Sequence, residues 1–441
     1  MRPVSNRRVL AIALPIVLSN ATVPILGAVD TGVIGQLGAA APIGAVGIGA
    51  IILASIYWIF GFLRMGTSGL VAQAYGAGDE GEAGAHLVRA LVIAGAAGLG
   101  LIILHPLLFA GAFRLAPASA EVEELARLYL SIRVWGAPAT IALYAITGWL
   151  IAMERTRGVL VLQIVQNGLN VVLDFLFVLG LGWGIGGVAV ATLIAELSGL
   201  ILGLWFCREA LRGVARQAGL FAWEKLMRML RVNADIMIRS VLLQGSFTTF
   251  LFMAAGQGDV TLAANQVLLQ FLEITAYGLD GFAFAAETLV GQAVGARRRD
   301  LLRRSAVLSS GWAIGGALIL GLVFAVSGSG LIDLLTTSVE VRTEARRYLP
   351  WLVIAPAIGI GSWMFDGIFI GATLTGRMRR AMMEAVAIYA VALAILPAVF
   401  GNHGLWAALM ILNLSRMLTM MRFYPEAETA ADPGAIRPLA G

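Results

Sequence analysis

Val71-Ala-Gln-Ala-Tyr-Gly-Ala77 returns 219 residues later as Val290-Gly-Gln-Ala-Val-Gly-Ala296, the same at five of seven positions. The same offset aligns Tyr129-Leu130 with Tyr348-Leu349, Gly148 with Gly367 and Ile151 with Ile370. An offset one residue shorter aligns Ala137-Pro138 with Ala355-Pro356. With 53 glycines in the chain, any one of these matches is cheap. Their shared spacing is what argues for an internal duplication.

What is duplicated is a set of membrane spans. Of 441 residues, 59% are hydrophobic and 13% charged, against roughly 25% charged in a soluble domain. The mean hydropathy is +0.87. A helix needs about 20 mostly apolar residues to cross the hydrocarbon core. Twelve segments meet this, near 9–34, 43–66, 88–112, 127–152, 158–181, 186–207, 232–256, 261–292, 304–327, 345–374, 379–400 and 403–422. Their continuous apolar runs lack the alternation of barrel strands. The composition excludes a soluble globule, a disordered chain and a nucleic-acid-binding module. A pI of 9.7 and a net charge of +5 are then explained by basic cytoplasmic loops.

With the N-terminus inside, inner loops and tails hold 22 Lys and Arg residues and outer loops hold five. Under the positive-inside rule both termini are cytoplasmic, which an even number of spans requires. The expected fold is an all-α membrane protein with 12 transmembrane helices. They form two six-helix lobes related by a pseudo-two-fold axis along the membrane normal, as in parallel-repeat carriers. The boundaries are an N-terminal lobe at 1–207, a basic cytoplasmic linker at 208–231, a C-terminal lobe at 232–422 and a cytoplasmic tail at 423–441.

Ionisable residues inside spans are expensive, and each is a functional hypothesis. Asp30 lies in the first span, Asp174 in the fifth, Glu196 in the sixth, Glu273, Asp280 and Glu287 in the eighth, and Asp366 in the tenth. Counting residues from the outer loops puts Asp30, Asp174 and Thr192 at similar depth, roughly 8–11 Å inside the outer boundary. Asn170 lies one turn below Asp174 on the same helix face. Two carboxylates, an amide and a hydroxyl at one level can hold a proton or, as hard oxygen ligands, a sodium ion. Singly, an intramembrane aspartate is more often functional than not, whereas Asn170 and Thr192 alone are weaker signals, since Asn and Thr often join packed helices.

Glu273, Asp280 and Glu287 recur every seven residues on one stripe. That stripe suits either a cationic substrate or a structural pairing with Arg239. Asp366, beside Trp363 and Gly367, is a second cavity candidate. Pro15 and Pro24 interrupt the first span and each permits a kink, static or moving. One cysteine and three scattered histidines offer no metal pattern. There is no His-Glu-x-x-His pattern and no phosphate-binding Gly-x-x-x-x-Gly-Lys loop. An enzyme is therefore disfavoured, no cofactor is expected, and energy must come from an ion gradient.

Several segments together resemble the multidrug and toxic compound extrusion (MATE) family, and within it the DinF branch. They are Leu14-Pro-Ile-Val-Leu-Ser-Asn20, Gly27-Ala-Val-Asp-Thr-Gly-Val-Ile-Gly35, Phe62-Leu-Arg-Met-Gly-Thr-Ser-Gly-Leu70, Ala276-Tyr-Gly-Leu-Asp-Gly-Phe-Ala283, Gly291-Gln-Ala-Val-Gly-Ala-Arg297, Asp366-Gly-Ile-Phe-Ile-Gly-Ala-Thr373 and Gly401-Asn-His-Gly-Leu-Trp-Ala407. The resemblance implies a monomeric antiporter of the bacterial inner membrane. It would export amphipathic, cationic or neutral compounds in exchange for protons, with sodium as the alternative ion. It also implies coupling at Asp30, at the fifth-span Asn170-x-x-x-Asp174 pattern and at Thr192. Some archaeal members carry a tyrosine four residues before the first-span aspartate; here that position is Leu26. The seventh-span glutamate by which another branch binds sodium has no counterpart. A lipid or oligosaccharide flippase of the same superfamily is the rival reading; mainly acidic buried charges argue against it.

Overall fold

The computed structural model describes residues 3–36, 40–115, 119–214 and 219–434, with the side chains of residues 23–28, 30, 31, 40 and 115 left aside. Among the described residues the chain is helical and has no strand. The helices are α1 (Asn6–Gly35), α2 (Ala40–Ile59), α3 (Phe62–Gly76), α4 (Glu80–Leu115), α5 (Ala120–Arg133), α6 (Ala137–Ala152), α7 (Thr156–Asp174), α8 (Gly184–Phe206), α9 (Arg208–Val214), α10 (Trp223–Ala255), α11 (Asp259–Gly295), α12 (Arg299–Leu335), α13 (Val339–Gly371) and α14 (Thr375–Ala430).

Among the described residues, ten stretches are long and apolar enough to cross a membrane. One joins α2 with α3, and another joins α5 with α6 through the 3-10 turn Val134–Gly136. The longest, α14, is two helices meeting at Gly401, where φ 55° and ψ −134° are not helical. Only glycine enters that region without strain. Counting the two arms separately and adding the 30-residue α1 gives the expected twelve. The helices overshoot the apolar runs at their polar ends. Continuing a helix satisfies backbone groups that a loop would leave to solvent. Ser338 shows how tightly successive spans are joined. It caps α13, its hydroxyl accepting from the Val341 amide at 3.4 Å, only three residues after α12 ends.

The chain forms two compact units. The first comprises Met1–Val17, Ala72–Gly78 and Arg228–Gly441, and the second Leu18–Val71 and Asp79–Met227. They follow the two sequence halves except at α1, whose first turns belong to the first unit, and at the repeat motif ending α3. The segment 208–231, read as a linker, contains α9 and the start of α10. In the second unit α9 packs on α4, where Gly84 meets Ala210 and Val214. The core of the first unit is built on Phe250, Phe271, Phe324, Tyr348, Tyr389 and Trp406. Phe250 and Trp406 meet edge to face at 5.3 Å. Asn265 and Asn402 exchange amide hydrogen bonds of 2.7 and 2.9 Å, and the Trp406 indole donates to Asn265 at 2.8 Å. The second unit has its own core around Tyr57, Phe109, Phe113, Tyr129 and Val188. Side chains such as Ile103, Ile201, Leu322 and Val326 stand exposed. A soluble monomer rarely tolerates apolar surface on this scale; a bilayer covers it.

The duplicated motifs pack against each other within the first unit. Gly76 abuts the backbone of Gln292, and Gly295 abuts the backbone of Gln73. Position six of each copy thus meets position three of the other. No side chain fits at either glycine, which is why the motif keeps both. The Gln73 amide also donates to the Gly371 carbonyl and the Thr373 hydroxyl, at 3.0 Å each.

Candidate functional site

One face of α7 is polar in a span that otherwise faces apolar surroundings. Gln163, Asn167, Asn170 and Asp174 follow each other at four, three and four residues, the spacing that keeps side chains on one helix face. Asn170 and Asp174 are fully buried, and the Asn170 amide donates to Asp174 Oδ2 at 2.6 Å. The Gln163 amide donates to Asn167 at 3.3 Å, and Asn167 donates to Thr22 of α1 at 2.9 Å. α7 ends at Asp174 and continues as the π-helical turn Phe175–Gly180. Such turns are rare and concentrate at functional sites. The widened turn sets the aspartate where regular helical backbone stops.

The structure therefore brings Asn170 and Asp174 together as the spacing predicted. Thr192 is half-buried on α8 and donates to its own Val188 carbonyl at 2.9 Å. Asp30 lies on the backbone of α1, but its side chain, like that of Pro24, is outside the described residues. Pro15 is half-buried within the unbroken α1. Sequence reasoning missed Thr22, Gln163 and Asn167. The unbroken polar register of α7 was the available signal for the last two.

A second buried pair lies in the same unit. Arg133, in the last turn of α5, meets Glu196 of α8 at 2.7 Å, with both side chains under 10% exposed. The Tyr129 ring lies 6.0 Å from the same guanidinium. Glu196 is one turn beyond Thr192, so the pair shares the Thr192 side of α8. Two opposite charges, each within a span, were the sequence signal.

In the first unit, Asp366, read from the sequence as a second cavity candidate, is part of a buried charge network. Its Oδ2 accepts from both Arg239 of α10 and Arg416 of α14, the latter at 2.6 Å. Arg416 also donates to Asn413 at 3.2 Å. All three charged side chains are buried. Arg239, one of the two partners considered for the α11 acids, is held by Asp366 of α13. A stripe of acids seven residues apart spans about 10 Å per step, and only one of its neighbours could have met that guanidinium. Along α11 the acids differ in setting. Glu273 is exposed and accepts from the Tyr277 hydroxyl at 2.9 Å, Asp280 is half-buried, and Glu287 is buried. Among the described residues no group of His, Cys, Asp and Glu is arranged to hold a metal.

The family model described as MatE matches the chain twice, at residues 15–176 and 236–401, once in each half. DNA damage-inducible protein F of Escherichia coli strain K12 is 40% identical over 422 residues, which cover 94% of this chain and 91% of that protein. A probable multidrug resistance protein NorM of Synechocystis is 27% identical over 70% of this chain and 68% of its own length. The crystal structure of the Vibrio cholerae MATE transporter VcmN in its bent form superposes with a TM-score of 0.86 at 20% identity, covering 97% of each chain.

Proposed function

The chain belongs to the MatE family, in its DinF branch, and on that premise we propose that it is a secondary antiporter exporting amphipathic cationic or neutral compounds in exchange for protons. Family members of this kind are transporters, not enzymes, and need no cofactor. The reading rests on one observation above the rest: Asp174, 0% exposed, is bound by Asn170 on the polar face of a membrane-spanning helix.

We take Asp174 as a carrier of the coupling proton. Asp30 would add a second acid. Thr22 is joined to Asn167; Asp30 follows Thr22 by eight residues and Asp174 follows Asn167 by seven. In parallel helices these steps are roughly 12 and 10 Å, which supports a common depth. The two acids would share the coupling proton. Protonation would weaken the charge-assisted hydrogen bond that Asn170 donates and bias the bending of α1 at Pro15 or Pro24. Proton and substrate would then exclude each other, as antiport requires. Glu273, Asp280 and Asp366 remain candidates for lining the substrate path. We place the chain as a monomer in the bacterial inner membrane with both termini in the cytoplasm.

Dye efflux from inverted vesicles, with pH and sodium gradients imposed separately, tests the reading. Acceleration by the pH gradient alone supports proton coupling. Strict dependence on sodium, without response to pH, overturns it and assigns the Asp30, Asn170, Asp174 and Thr192 oxygens to a sodium ion.

A further inference from the structure

An apolar groove of about 330 Å³ lies in the first unit between α12, α13 and the second arm of α14. That volume is within the roughly 300–1,000 Å³ of small-molecule sites. Ser310, Ile314 and Leu318 form one wall, Phe365 and Ile368 a second, and Met417 closes the back. Ile314 and Leu318 are 48% and 60% exposed, so the groove opens on the face that a bilayer would cover. Anything entering from there must be apolar over most of its length.

One end of the groove is charged, and helix register says which. Arg303 and Ile314 are eleven residues apart on α12, and Glu428 and Met417 are eleven apart on α14. Eleven residues complete three turns, so each pair shares a face, and the rise is roughly 16 Å. Arg303 and Glu428 meet at 2.6 Å, while Ile314 and Met417 both line the groove. The two helices therefore run antiparallel in matched register, and the ion pair stands about three turns below the apolar floor. Tyr424 lies between the two levels, its ring 6.1 Å from that of Phe365. At this end Arg299 and Arg303 pair with Glu428 and Asp432, and Arg304, the next residue of α12, leaves positive charge in excess. Arg304 is exposed and has no ion pair among the described residues.

We propose that this groove binds one acyl chain of an anionic phospholipid, with the headgroup phosphate met by Arg304 and Arg303. An apolar channel open to the bilayer, one phospholipid length from surplus arginine, matches both halves of such a molecule. Guanidinium groups suit phosphate oxygens in number and geometry. Charge asymmetry assigns this end to the cytoplasmic face, where the negative leaflet potential adds to the attraction. The inference requires only residence in a bilayer and is independent of the coupling ion.

The purified full chain is reconstituted in vesicles containing phosphatidylglycerol with a photoactivatable diazirine midway along one acyl chain, or the matched phosphatidylcholine probe. Adducts are mapped by peptide mass spectrometry. The expected result is adducts concentrated in 303–318 and 357–368, several-fold stronger for phosphatidylglycerol. Ala357→Phe, at an exposed lining position, and independently Leu318→Trp should each cut that labelling several-fold. Arg304→Gln should remove the headgroup preference while chain labelling persists. Adducts spread evenly over all lipid-facing helices, or labelling unchanged by both groove-filling variants, would overturn the site. Equal labelling by the two headgroups would overturn the anionic assignment. Displacement of the label by an amphipathic cation such as ethidium would show that a transported compound, and not lipid, occupies the groove.

Discussion

Neutralising Asp366 leaves Arg239 and Arg416 side by side in an apolar interior with no counter-ion. Breaking a buried charge network by removing one partner typically costs about 3–5 kcal/mol. Asp366→Asn should therefore lower the melting midpoint in detergent and reduce export of cationic and neutral dyes alike. A role as a simple attractor would instead spare the protein's stability and the neutral dye. Replacing Asp366, Arg239 and Arg416 together by Leu, Met and Met should recover most of the lost stability, since apolar residues of similar volume often replace buried ions at little cost. Asp174 calls for the opposite outcome. Asp174→Asn keeps the shape and a hydrogen-bonding group, so the protein should fold and insert while gradient-driven efflux disappears. Asn170→Ala removes one donor to a carboxylate, worth roughly 1.5–3 kcal/mol, and should weaken transport without abolishing it. Efflux by Asp174→Asn that still accelerates with an imposed pH gradient would leave that residue only a bracing role.

At the scale of elements, the ends of α3 and α11 approach closely in the first unit. The two copies of the repeated motif meet there through Gly76 and Gly295, backbone on backbone. A side chain at Gly295 must displace the Gln73 carbonyl, which is main chain and cannot rotate away. Gly295→Val should cost about 1–3 kcal/mol by overpacking and lower the melting midpoint. Gly311→Ala is the control. A Cβ at that α12 position meets nothing within 4 Å, and exchanging a mid-helix glycine for alanine should stabilise by about 0.5–1 kcal/mol. Equal melting midpoints for the two variants would remove the close approach as the reason for the motif. The repeat was legible as sequence similarity. That its two copies are each other's packing partner was not, because similarity reports common origin and not contact.

For the whole molecule, the excess of basic residues in alternate loops predicts that the 208–231 and 295–304 segments are cytoplasmic. A cysteine introduced as Arg298→Cys should escape an impermeant maleimide added outside intact cells and react in inverted vesicles. Labelling from outside would reverse the topology. The native background is low. Cys207, beyond the end of α8, is buried, and desolvation pushes its thiol up to about 12, only partly opposed by Arg155. Little thiolate is then present at neutral pH, and thiolate is the reacting species.

Hydrophobic run length determined the helical membrane fold and the number of spans, because hydrocarbon thickness sets how many apolar residues a crossing needs. The Asn170–Asp174 pair was readable for a similar reason: both residues lie on one helix, and local geometry links residues four apart. Contacts between helices follow a different rule. Asp366 with Arg239 and Arg416, Arg133 with Glu196, and Thr22 with Asn167 join residues 50 to 145 positions apart. Each helix presents several faces, and hydropathy says only that a charge will avoid lipid, not which neighbour will neutralise it. That choice is made by the rotation and height at which small residues let the helices pack. Only the tertiary structure decided which of the buried acids were already paired.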